Sequence, residues 1–283
     1  MRTPVEGRIR SRLLASLRGW RLAWRITKLN FRARLEYRVE FLMMAGLGAV
    51  WQMSVLVFAT VLLTQFPGMG DWANTEVLLL ASMRLLSHGF YVLFLGRMSA
   101  TVFLVQEGRV DSYLIRPMPV YRQMQLAFFH VNAVGDLAVA ISLFAVALVL
   151  VDVSWTVGLI VYLLLALIGG VLMDGAMFTV FSSIALHAPA TVYWSEWVDE
   201  LMTAYGNYPL HIMPSLVRDS LTFLLPLAFV AYLPAAVITG NVDTLAVPAW
   251  LAYLAPAVGL AAFVAARALW RTSLRYYKGV GTV

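Results

Sequence analysis

Apolar runs alternate with short polar islands along this chain, and the runs are of membrane length rather than strand length. A helix that crosses a bilayer needs roughly 20 apolar residues. Runs of that size fall at about 40–65, 76–98, 125–151, 156–186, 213–238 and 249–270. They predict six transmembrane helices, the fourth long enough to tilt or to extend past the bilayer. No alternating ten-residue pattern points to a β-barrel. The chain therefore reads as an all-α polytopic membrane protein. An N-terminal amphipathic interfacial helix is expected within 1–39, a six-span domain over 40–270 with a polar elbow at 99–122, and a tail over 271–283.

The stretches between the runs sharpen this picture. Over 8–38, Leu13, Leu17, Trp20, Trp24, Phe31 and Leu35 recur at helical spacing beside Arg18, Arg21, Arg25, Lys28 and Arg32. A basic amphipathic helix of that kind lies in the membrane interface. The loop at 66–75 carries Pro67-Gly68 and Gly70-Asp71, a turn signature, and Asp152–Trp155 makes a tight hairpin. The segment 187–212 reads as an inner connection with an acidic interfacial helix over Glu196–Ala204, ended by Asn207-Tyr208-Pro209. It holds Glu196, Asp199 and Glu200 but no Lys or Arg, which is unusual for that side. The fifth run contains Pro226 and Pro234 after a start at Pro214. Proline removes a backbone donor and kinks a helix, so this run is expected to pack against protein that covers the freed carbonyls.

Composition agrees with the pattern: 61% of residues are hydrophobic, 13% are charged, and the mean hydropathy is +0.79. Charge placement sets the orientation. Eleven Lys and Arg lie within residues 1–39, the elbow adds Arg97, Arg109, Arg116 and Arg122, and Arg267, Arg271, Arg275 and Lys278 mark the tail. The alternate connections 66–75, 152–155 and 239–248 contain no Lys or Arg. By the positive-inside rule both termini and the elbow are cytoplasmic. The net charge of +6 is then a topology signal with an affinity for anionic lipid, and nucleic acid is not an expected partner. The first apolar run starts near 40 and is too long for the core of a cleavable signal peptide.

Candidate chemistry is sparse. With no cysteine, thiol catalysis, disulfides and Cys-ligated metals are excluded. The phosphate-loop pattern Gly-x4-Gly-Lys-Ser/Thr is absent, as is Gly-x-Ser-x-Gly, and the four histidines lack ligand spacing. No catalytic residue, bound metal or cofactor is expected. What remains is a set of ionisable residues inside the spans: Arg84, His88, Asp136 and Asp174, with Arg218-Asp219 near a span boundary, expected to be the cytoplasmic one. At about 1.5 Å per residue, His88, Asp136, Asp174 and Arg84 lie roughly 15–21 Å from the cytoplasmic end, so they can meet. Two readings stand: a translocation-path or proton-linked site, and an Arg84–Asp136 or Arg84–Asp174 pair that locks the bundle. The islet Glu107-Gly108-Arg109-Val110-Asp111 followed by Leu114-Ile115-Arg116-Pro117 reads as a short helix over 107–115 with a stiff exit at Pro117 and Pro119, a place for a separate soluble motor to push.

Several of these segments together resemble the type-2 ABC exporter permeases, specifically the bacterial subgroup described as ABC-2 family permeases. The resemblance is carried by Ala33-Arg34-Leu35-Glu36-Tyr37-Arg38-Val39-Glu40-Phe41-Leu42, by Glu107-Gly108 with Asp111 and Leu114-Ile115-Arg116-Pro117, by Leu225-Pro226 with Tyr232-Leu233-Pro234, and by Leu269-Trp270-Arg271 with Leu274-Arg275-Tyr276-Tyr277 and Gly281. The tail departs slightly, with Thr272-Ser273 where a small residue or glycine is common. The resemblance implies a six-helix domain in the bacterial cytoplasmic membrane, an amphipathic helix ahead of the first span, and a coupling helix between spans two and three. It further implies a cytoplasmic ATPase partner that carries the ATP and Mg, and a second permease, identical or similar. Glu107, Gly108, Arg109, Asp111, Arg116 and Pro117 would then contact the ATPase. The function this implies is the permease subunit of an ATP-driven exporter for an amphiphilic or hydrophobic substrate. The alternative from the intramembrane charges is an ion- or proton-coupled carrier using His88, Asp136 and Asp174.

Overall fold

The computed structural model describes Leu22 and residues 25–65, 72–126, 130–188 and 192–279, and every regular element among them is helical. The expected helical turns at 8–21 with Trp20 and Trp24, the turn at 66–71 and the terminal Gly281 lie outside the described residues.

Helix α1 (25–36) bends at Tyr37 into α2 (Arg38–Gln65). Phe31 meets Phe41 edge-on across the bend at 6.1 Å, and Asn30 Nδ2 donates to Leu126 O at 2.6 Å. α3 (Asn74–Phe94) begins where Glu76 accepts from the backbone N–H of Ala73, closing the first turn. The elbow follows as a 3-10 turn (Gly96–Ala100), α4 (Thr101–Gln106), α5 (Arg109–Leu114) and α6 (Val120–Leu126). α7 (Asn132–Leu150) and α8 (Val157–Ala185) form a hairpin through Asp152–Trp155, and Thr156 caps α8 by accepting from Leu159 N. Four of these helices are long and apolar enough to cross a membrane among the described residues: α3, α7, α8 and the last helix, α13 (Ala255–Arg275). α3 is the central one, with 61% of its apolar window buried against 17% for α13. Leu164, Leu165 and Ile168 on α8, and Leu260 and Val264 on α13, stay exposed, as side chains that face lipid do.

The path after α8 departs from the expected one. α9 (Val192–Tyr205) is a helix, as foreseen, but the segment 187–212 is not confined to the elbow end of the bundle. Its C-terminal part climbs along α3: Gly206 packs against the Arg84 side chain, and the His211 ring lies 5.8 Å from Trp72 at the opposite end. The expected fifth span, 213–238, is not one helix either. It comprises α10 (Ser215–Asp219), a π turn (Ser220–Leu224), a 3-10 turn (Leu227–Phe229) and α11 (Tyr232–Thr239). The prolines explain the breaks. Leu225 precedes Pro226 and is pushed to φ −112, ψ 89, out of the helical region. Pro234 falls in the first turn of α11, where a missing N–H leaves no hydrogen bond unmade.

This broken segment starts and ends at the same end of the bundle. Tyr232 stacks on Trp72 at 5.7 Å, and His211 Nδ1 lies 3.2 Å from the Tyr232 hydroxyl. Asn241 Nδ2 donates to Glu76 at 2.8 Å, and Trp72 Nε1 donates to Thr244 Oγ1 at 3.0 Å. In between, the chain dips far enough for Val230 O to sit beside Gly170 and Ser87. From Leu227 through Ile238 it is buried, which supplies the cover that broken helices need. Arg218 and Asp219 bond each other at 2.9 Å, and Arg218 lies within electrostatic reach of Tyr232. They therefore belong to the Trp72 end of the bundle, not to the elbow end where the sequence suggested them. After Gly240 (φ 81), α12 (Ala249–Tyr253) and α13 return to the elbow end.

α13 runs parallel to α8, and the two backbones touch. The Tyr162 hydroxyl donates to Ala252 O at 2.7 Å, and a Cβ on Gly259 would collide with Gly169 O. Gly169 in turn faces the Pro256 backbone. Small residues let helices approach where packing, not water exclusion, drives association. Gly259→Val is therefore expected to lower stability by about 1–3 kcal/mol through overpacking, read as a fall in thermal unfolding midpoint in detergent.

Candidate functional site

The elbow is built as a rigid, two-faced unit. Gly108 turns the chain between α4 and α5 at φ 65, a conformation that glycine adopts without a Cβ clash. Val110 and Tyr113 on α5 point inward and are buried, while Leu114, Ile115, Arg116 and Pro117 are exposed, Ile115 by 87%. The exit is held by Gln123, whose Nε2 donates to Tyr113 O at 2.8 Å and to Met118 O at 2.5 Å. Arg116 lies 5.4 Å above the Tyr113 ring, and Arg109 pairs with Glu107 at 2.9 Å on the surface. An isolated surface pair such as Arg109–Glu107 adds little stability.

The inner face of the elbow is bolted to the bundle through Tyr121 of α6. Its hydroxyl is 3.0 Å from Thr179 Oγ1 of α8, the Arg267 guanidinium of α13 covers its ring at 3.4 Å, and Trp270 meets it edge-on at 5.7 Å. Ser182 Oγ donates to Met98 O and ties α8 to the first turn of the elbow. The tail closes the unit. Asp111 faces Tyr277 and Gly279, and burial, followed by the Asp111 carboxylate, pushes the Tyr277 phenol up to about 12. Of the six residues expected to meet a partner, Asp111 is thus turned toward the tail. Glu107, Arg109, Arg116 and Pro117 lie exposed, and Gly108 makes the turn.

About halfway along the bundle the structure gathers the four intramembrane residues singled out from sequence. Arg84 Nη1 lies 3.3 Å from Asp174 Oδ2, with the side chains 3% and 0% exposed. His88 Nδ1 lies 3.6 Å from the same oxygen. Of the two pairings considered, the described structure makes Arg84–Asp174. Asp136 comes close to His88 and to Gly48, and its Oδ1 is buried without a hydrogen-bond partner. Gly48 and Gly135 permit this approach, because a Cβ on either would strike the backbone of the facing helix, α7 or α2.

Three of these residues, Arg84, His88 and Asp136, border a cavity of about 370 Å³ between α2, α3, α7 and α9, with Asp174 behind Arg84. Arg84, His88 and Asp136 form one wall, and Gln52, Asp199 and Asn207 contribute to the others. Sequence reasoning did not place the α9 residues here, because it kept 187–212 at the inner surface. One signal was available: the absence of Lys and Arg in 187–212 conflicts with an inner connection and suits a segment that enters the bundle.

A membrane-type helical bundle with a rigid two-faced elbow at one end and no assembled catalytic set among the described residues has the form of a transport component. A family model described as ABC-2 family transporter protein matches residues 49–281. The chain belongs to that family, and it is a multi-pass membrane permease component of an ABC transporter. Permeases of this family work with an ATPase subunit and are generally not catalytic themselves. No curated protein and no solved structure matches the chain.

Breaking the buried pair tests its structural weight. Asp174→Ala alone strands the Arg84 charge and is expected to lower stability by about 3–5 kcal/mol. Arg84→Met combined with Asp174→Leu should recover most of that loss in the same thermal unfolding measurement.

Proposed function

We propose that this chain is the membrane half of an ATP-driven exporter in the bacterial cytoplasmic membrane. It acts with a separate ATPase, which carries the ATP and Mg, and with a second permease, identical or similar. The observation that carries this reading is the elbow: an exposed apolar and basic outer face on a unit whose inner face is fastened to α8 and α13 through Tyr121. A lever needs both properties, a contact surface for the motor and a stiff joint to the moving helices.

The orientation follows from the basic residues at the elbow end, which is cytoplasmic together with both termini. The crossings number six on this reading, with a different fifth member. α2, α3, α7 and α8 alternate, 192–212 rises to the Trp72 end, 213–244 dips into the bundle and returns to that end, and α13 descends. ATP binding would close the two motors, draw the elbows together and switch the permease pair between inward and outward access. The substrate class is amphiphilic or hydrophobic, in keeping with the exposed apolar flanks of the helices.

Co-purification tests the docking face. A tagged wild-type chain is expected to retain an ATPase. Arg109→Glu with Arg116→Glu reverses two exposed charges, removing the Arg116 contact above the Tyr113 ring but leaving the Tyr121 anchor in place, and should abolish both retention and permease-dependent stimulation of ATP hydrolysis. Retention of both by the double variant would overturn the elbow assignment.

A further inference from the structure

The cavity beside Arg84 has a surplus of carboxylates on its lining. Its one guanidinium is already engaged by Asp174, a buried carboxylate behind it. That leaves Asp136, Asp199 and Glu200 on the lining with no ion pair among the described residues, His88 being the basic side chain near Asp136. Asp136 Oδ1 and Asp199 Oδ1 are buried without a hydrogen bond. Independently, Asn207 on the same lining is 4% exposed; its Nδ2 donates to Thr203 O while its Oδ1 accepts from nothing. Buried polar atoms are normally satisfied, and Arg84 Nε and His88 Nδ1 on the same lining are orphans as well, so unmet donors accompany the three unmet acceptors. The surplus is one of charge: three carboxylates face one histidine once Asp174 has neutralised Arg84, and partly desolvated carboxylates favour a partner that carries positive charge and donates. Trp51 also lines the cavity, and Glu200 is shared with a second groove lined by Trp194, Glu196 and Trp197, so acidic and aromatic side chains continue outward from the cavity.

We propose that the cavity between α2, α3, α7 and α9 binds an amphiphilic organic cation through a protonated, hydrogen-donating nitrogen. Asp136, Asp199 and the Asn207 Oδ1 accept from that nitrogen, and the apolar body of the guest rests toward Trp51. A volume of about 370 Å³ suits a guest the size of a small drug. That such a guest is what the protein transports rests on the exporter reading above; the binding does not.

The full chain in lipid nanodiscs, with no ATPase present, is titrated with dansylcadaverine, a fluorescent primary amine, and with its neutral N-acetylated form. Saturable binding of the amine is expected, with little binding of the acetylated probe. Asp136→Asn with Asp199→Asn keeps the side-chain size and should weaken amine binding about tenfold or more. Failure of the wild-type chain to bind the amine, or equal binding of the two probes, overturns the proposal, and the probe comparison needs no variant to fold. Equal amine affinity in the double variant, with an unfolding midpoint matching wild type, overturns it as well. A chain that retains its ATPase but does not bind the amine leaves the exporter reading standing and removes this one. A chain that binds the amine but retains no ATPase in the co-purification does the reverse.

Discussion

The bundle is organised around one buried ion pair, Arg84 with Asp174. Removing two charges from water costs several kcal/mol each, and in a membrane interior no solvent is at hand to repair a misplaced partner. The pair therefore restricts how α3 and α8 can face each other, because any rotation that separates them leaves both charges bare. Its influence reaches further than two helices. Gly206 packs against the arm of Arg84, so the path of 192–212 through the bundle is set by the same side chain. His88, one turn along α3, shares the Asp174 oxygen and brings Asp136 of α7 into the neighbourhood. Four elements thus meet at one level because one carboxylate needs a counter-charge.

From that level α8 continues directly to the elbow. Thr179 and Ser182 lie one to two turns beyond Asp174, and they bond Tyr121 and Met98. The Arg84 wall of the cavity, held by Asp174, and the elbow, held by Thr179 and Ser182, are consequently fastened to the same helix. The buried face of α5 and the Tyr121 anchor of α6 join the elbow to α8 by direct contacts. This continuity suits a permease driven from the cytoplasm, and it places the polar lining of the cavity where a change in helix packing would alter it.

The elements read correctly from sequence are those whose cause is local. The length and apolarity of α3, α7, α8 and α13 predict helices of spanning length, because within a bilayer the backbone has no other way to satisfy itself. Gly108, Pro117 and Pro119 announce the short helix of the elbow. Helical rise placed Arg84, His88, Asp136 and Asp174 at comparable depth, and they are found together. The run 213–238 misleads for a physical reason. Its hydrophobicity reports burial, and burial in a protein interior looks the same as burial in lipid; Pro226 marked a break, but apolarity could not tell a crossing from a dip and return.

The amino-acid sequence by itself determined that the chain is an all-helical membrane protein, which side carries the positive charge, and which few ionisable residues would need partners. Those follow from solvation alone: apolar length, charge placement and the penalty for a bare charge. Only the tertiary structure decided that Arg84 pairs with Asp174 and not with Asp136, that Asp111 turns to the tail, and that Asn207, Asp199 and Gln52 share a cavity with the intramembrane charges. Those outcomes depend on which helix faces approach each other. That is settled by close contacts such as Gly48 with Asn132, Gly135 with Ala45 and Gly259 with Gly169, between residues far apart along the chain.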